Sequence, residues 1–146
     1  MILKKIILAI GILTSTTTLV AQERKLMPIN EIREVIKLAI DLPELQQYFH
    51  IKTDSSRIPL IINEYGLINS ENMKGIKKFG KEIVILSEGE IKEKEIKSYL
   101  HIGDWTYVGS TLRLQLTYVI EEILINYLFI KKNGKWIIED SLIMEN

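Results

Sequence analysis

The sequence contains no cysteine, and that absence closes several routes at once. Without thiols there are no disulfides, no thiolate metal site, no cysteine nucleophile and no lipid-anchored lipoprotein, whose anchor is a cysteine. Only two histidines occur, His50 and His101, too few to make a transition-metal set on their own. The reading is therefore no metal and no cofactor. Glycine and proline are sparse, at 8 and 3. Gly75, Gly80 and Gly89 stand singly, so the chain encodes neither a phosphate-cradling loop nor a flexible linker. No Gly-x-Ser-x-Gly nucleophile elbow is present. Charge of one sign is lacking too. The 19 Lys+Arg balance 19 Asp+Glu, which leaves no basic field for a polyanion and excludes nucleic acid as a partner. Long apolar runs are also missing: residues 6–13 fall well short of the about 20 residues that a spanning helix needs.

That short run is informative by its position. Lys4 and Lys5 precede it, a Thr/Ser stretch over residues 14–18 follows, and Leu19-Val20-Ala21 stand before the charged Glu23-Arg24-Lys25. Positive, apolar, then small is the order of a secretory signal peptide. It predicts a leader over residues 1–21, cut after Ala21, and one α+β domain over residues 22–146. An uncleaved membrane anchor is the alternative. Export places the domain in the periplasm or outside the cell, with no stable membrane insertion after cleavage. Loss of Lys4 and Lys5 leaves 17 Lys+Arg against 19 Asp+Glu, a net charge of −2. A domain of this size buries roughly two-thirds of its unfolded surface, so packing must replace the disulfides it lacks.

Asn30 is a good N-cap, and Ile32, Val35, Ile36, Ala39 and Ile40 follow at helical spacing. They predict a helix over residues 31–40 with Arg33, Glu34 and Lys37 on its polar side. Asp41, Pro43 and Glu44 predict a restart and a second short helix to Phe49, giving a bent helical arm. Residues 57–63 and 82–86 read as short strands, with Pro59 marking an edge or a strand start. Residues 69–78 are ambiguous between short helix and irregular strand, and Ser87 to Glu90 predicts one capped helical turn. Four strands then follow over residues 96–102, 111–120, 122–132 and 135–144. Asn133-Gly134 supplies the hairpin turn between the last two, because both residues tolerate φ > 0. Leu112, Leu114, Leu116, Tyr118 and Ile120 share a dry face, and Arg113, Gln115 and Thr117 a wet one. The next strand is apolar on both faces. Ile123, Ile125, Tyr127 and Phe129 line one, while Leu124, Leu128 and Ile130 line the other, interrupted by Asn126.

A helical arm followed by a long meander resembles the cystatin-like and nuclear-transport-factor-2-like α+β superfamily. The finish from Phe129 through Asn133-Gly134-Lys135-Trp136 is similar to the aromatic hairpin common in the latter. The leader end, Leu45-Gln46-Gln47-Tyr48-Phe49-His50, residues 79–86 and the closing hairpin also resemble uncharacterised small secreted proteins of Bacteroidota. The resemblance implies an N-terminal bent helical arm packed on a curved antiparallel β-meander. Cystatin-type inhibition needs a Gln-x-Val-x-Gly hairpin. The nearest string, from Gln115 to Val119, lacks both the Val and the Gly at those places.

His101 and Asp104 are the candidate catalytic residues, since a histidine oriented by a carboxylate can move a proton. Gly103-Asp104 equally reads as a strand end and turn. Trp105, Tyr107 and Trp136 are the candidate ligand-binding residues, although strand aromatics also serve as cross-strand core pairs. His50 reads as a helix C-terminal cap. With no catalytic set, the sequence points to an exported small binding or interaction module whose partner is an unknown protein or small molecule. The alternative is a small lyase, isomerase or hydrolase of the cone-shaped nuclear-transport-factor-2-like type, with an acid or base in a concave pocket. The second apolar face, Leu124, Leu128 and Ile130, predicts a two-fold homodimer, unless residues 69–78 fold over it within one chain.

Overall fold

The helical stripe read from the sequence becomes the buried side of the first element. In the computed structural model, residues 26–146 are described; the leader expected over residues 1–21 lies outside them. Helix α1, Ile29–Ile40, buries Ile32, Val35, Ile36, Ala39 and Ile40. It starts after Pro28 rather than at the expected cap Asn30, and no side chain caps it. Its C-terminal end is closed from outside, where Gln46 Nε2 donates to the carbonyls of Ile40 (3.0 Å) and Leu42 (2.8 Å). A 3-10 turn, Pro43–Leu45, leads into α2, Gln46–Phe49. His50 ends it in the left-handed region at φ 52.

The strands are β1 (Ile61–Asn63), β2 (Lys77–Lys78), β3 (Lys81–Glu82), β4 (Val84–Leu86), β5 (Leu100–Val108), β6 (Thr111–Tyr118), β7 (Ile123–Lys132) and β8 (Lys135–Glu145). Helix α3, Glu88–Glu93, separates β4 from β5 and starts on a reciprocal capping box between Ser87 and Glu90. Six strands form one sheet in the order β4-β1-β5-β6-β7-β8, and β2 and β3 pair by themselves.

The curved antiparallel meander expected from the resemblance is therefore corrected. The sheet is open and mixed: β1 runs parallel to both β4 and β5, while β5 to β8 are antiparallel. Parallel neighbours need a crossover of a dozen residues or so, and residues 64–83 and 87–99 supply two. The strand expected over residues 96–102 is displaced to β5, because Gly103-Asp104 is no turn. The register shifts between Ile102 and Asp104, so one extra residue bulges and the strand continues to Val108. Of the strand expected over residues 57–63 only Ile61–Asn63 is strand, and Arg57 ends the 3-10 turn Ser55–Arg57. Ile120, expected on the dry face, lies in the 3-10 turn Val119–Glu121 and is 36% exposed. Asn133 and Gly134 both have positive φ and join β7 to β8 through a two-residue turn.

One face of the sheet is filled. Phe49, Tyr118, Phe129 and the α1 stripe meet there with almost no exposure. Residues 69–76 join this side rather than the other. Met73 and Ile76 enter the same core, and Arg33 of α1 donates to the carbonyls of Asn72 (2.8 Å) and Lys74 (2.7 Å). The polar atoms of this face are tied into the packing. Tyr127 Oη donates to the carbonyl of Ala39 at 2.8 Å, and burial pushes its phenol well above the ordinary range. Trp136 Nε1 donates to Glu31 Oε2 at 2.8 Å, and Lys131 Nζ to Glu31 Oε1 at 2.6 Å.

Candidate functional site

Side chains alternate along a strand, so every residue that fills the core has neighbours pointing away from it. On β7 these are Leu124, Asn126, Leu128 and Ile130, all partly buried. The strand pairings carry them into rows across the outer face. One row runs Asp104, Gln115, Asn126, Leu142 and the next Thr106, Arg113, Leu128, Asp140. Between these rows lies a shallow depression of about 310 Å³.

Two bulges place these residues. At the first, a Cβ on Gly103 would stand 2.9 Å from Gln115 Oε1, so the missing side chain leaves room for the glutamine amide. Gln115 Nε2 then donates to Asn126 Oδ1 at 3.0 Å. The second bulge lies where the β7–β8 register shifts between Leu128 and Phe129, and it brings Asp140 opposite Leu128. Asp104 accepts from Thr106 Oγ1 at 3.0 Å. Asp140 accepts from the Ser141 amide at 2.9 Å. Arg113 is exposed and makes no ion pair among the described residues. On the same face, Leu142 is 56% exposed and Met144 and Ile137 are also open to solvent.

The residues singled out from the sequence divide between the two faces. His101 and Asp104 both lie on the outer face but bond elsewhere. Asn63 Nδ2 donates to His101 Nδ1 at 3.0 Å, while Asp104 holds Thr106. Asn63 is 7% exposed, and its Oδ1 has no partner among the described residues. Trp105, Tyr107 and Trp136 pack against the core on the inner face. Tyr107 and Trp136 meet edge-to-face with ring centroids 6.1 Å apart. His50 lies 3.4 Å from Glu121, which also accepts from Arg57 at 2.5 Å. Among the described residues, no group of three or more His, Asp or Glu side chains is arranged to hold a metal ion. No helix among them is long and apolar enough to cross a membrane.

Arg113, Gln115, Asn126 and Asp140 were not named as site residues on sequence grounds. Arg113 and Gln115 stood on a wet face, and Asn126 interrupted an apolar one. The signal that joins them is register, and counting back from the Asn133-Gly134 turn misses it by one at the second bulge.

The free edge of β8 is partly closed. The Trp136 amide donates to Glu34 Oε1 at 3.2 Å, and the Ser141 amide is taken by Asp140. Carboxylates on outward amides discourage addition of another strand. The open surface is thus the face and not the edge. Compared with known proteins, the chain matches no family model, no curated protein and no solved structure.

Proposed function

We propose that this protein is an exported interaction module that docks through the outer face of β5 to β8 and pairs there with a second copy of itself. The observation that carries the reading is the contrast in cover. Leu124, Leu128 and Ile130 have side chains large enough for a core, yet nothing within the described residues buries them fully. A strand apolar on both faces is normally covered on both, and an isologous contact is a common cover. The alternative of an acid or base in a concave pocket draws no support from the inner face, which Tyr118, Phe129 and Trp136 fill. Export rests on the leader residues. Protein recovered from the cell envelope is expected to begin at or near Gln22, and recovery of an intact Met1 would remove that part of the reading. Sedimentation velocity over a range of concentrations tests the pairing. A dimer that Leu128→Asp converts to a folded monomer is expected. A wild-type chain that stays monomeric at tens of micromolar would defeat it.

A further inference from the structure

We infer that Arg113 of each copy crosses the dimer interface to Asp140 of the other, so that the pairing is keyed by charge. The inference rests on the pairing proposed above and goes further by assigning its contact and its symmetry. Arg113 is a cation without an ion pair among the described residues, in one row with Leu128 and Asp140. A two-fold axis running along the strands between β6 and β7 lays β6 of one copy over β7 of the other, and β5 over β8. Arg113 then faces Leu128 of the second copy, with Asp140 one strand, about 4.8 Å, to the side. Facing sheets pack roughly 10 Å apart, a gap that an extended arginine bridges. The same axis sets Asp104 opposite Leu142 and Asp140 opposite Thr106, so neither carboxylate directly faces another. An axis running across the strands between the two rows would instead set Arg113 over Gln115 and bring Asp104, not Asp140, of the other copy one strand to its side, so charge exchange at Asp140 also separates the two symmetries.

Area and charge both fit a second copy. With β6 8 residues long, four strands of that length cover roughly 500 Å² in projection at ordinary strand spacing and rise. A standard interface takes roughly 800 Å² of accessible surface per partner, and a surface of side chains exceeds its projection. The face presents both signs near its centre, so it complements itself under a two-fold, whereas a strongly acidic or basic partner would meet charges of its own sign.

Charge exchange tests the contact. Arg113→Glu and Asp140→Arg each set like charges together twice in their own homodimers. Each is expected to weaken self-association by about tenfold or more. Mixed one to one, the two variants set the introduced carboxylate against the introduced guanidinium at one contact. The other contact keeps the native pair of Arg113 and Asp140, so a heterodimer with near wild-type affinity should form. Circular dichroism should show both variants folded, since both positions are exposed. Single variants that associate as tightly as wild type, or a mixture that fails to recover, would overturn the role of Arg113. The pairing itself would stand if Leu128→Asp still gave a monomer. A wild-type chain with no dimer would remove both.

Discussion

On the inner face of β7, Ile123, Ile125, Tyr127 and Phe129 are at most 3% exposed, whereas Leu124, Asn126, Leu128 and Ile130 on its outer face are only partly buried. The two faces also differ in how their polar atoms are used. Inside, Tyr127, Lys131 and Trp136 reach to α1 and are bound there by a carbonyl or by Glu31. Outside, Gln115, Asn126, Asp104 and Asp140 bond only within the sheet. Polar groups that tie one layer to another mark a finished interface, because a buried donor must find its acceptor there. Polar groups that bond sideways leave their remaining valences to solvent or a partner. The inner face is complete within one chain, and under the proposed pairing a second copy would complete the outer one.

The sharpest way to break that contrast is to truncate one large side chain on each face. Trp136→Ala removes a side chain that is 2% exposed and leaves Glu31 with one donor fewer. The expected loss is about 3–5 kcal/mol. Leu142→Ala, at 56% exposure, should cost under about 1 kcal/mol when measured on dilute monomer. Urea denaturation of both variants decides. Equal midpoints would show that Trp136 is no anchor and that the two faces are energetically alike.

A smaller effect is expected at the Gly103 bulge. An alanine there would meet the end of the flexible Gln115 side chain and no backbone atom, so the glutamine can turn aside. The loss is its bond to Asn126, on the order of 1 kcal/mol or less. Crystallography of Gly103→Ala should find Gln115 in another rotamer and the β5–β6 register unchanged. A register shift would show instead that the bulge depends on glycine's backbone freedom.

The parts legible in the sequence are those where one period governs one face. The α1 stripe is one-sided at helical spacing, and all five of its residues are buried. The alternation in β6 likewise separates Leu112, Leu114, Leu116 and Tyr118 from Arg113 and Gln115. Three-residue strands such as β1 and β4 carry no period long enough to show their direction, so the parallel edge was not legible. Gly103-Asp104 imitates a turn because a bulge and a turn ask for the same residues. That ambiguity also hid the orientation of Trp105 and Tyr107, which return to the inner face only after the extra residue. The contact between Glu31 and Trp136 joins residues 105 positions apart, and no local pattern announces it. Asp104 was visible as chemistry. Its neighbours in space were not, because their rows depend on both bulges.

The smallest expected effect concerns α3, which belongs to neither side of the contrast and so sharpens it. Ile91 is 5% exposed but lies apart from the main core cluster. The helix therefore relies on its own cap. Ser87 donates its amide to Glu90 Oε2 at 2.9 Å, and the Glu90 amide donates to Ser87 Oγ at 3.2 Å. The bond from the Ser87 backbone, then that from its side chain, holds the Glu90 carboxyl below its ordinary value of 4.5. A carboxyl that is more acidic folded than unfolded supports the structure above its unfolded pKa. That support fades as pH falls through the folded value, because the proton removes the acceptor. Acid should consequently loosen α3 below about pH 4.5 while α1, anchored through buried Ile and Val, keeps its helical shifts. Carbon chemical shifts followed by NMR from neutral pH downward make the measurement, with Glu90→Gln, which has no carboxyl to protonate, as the control that abolishes the transition. If α1 and α3 lost their helical shifts together, the cap would not be what holds α3, and the helix would have to be counted as part of the inner core.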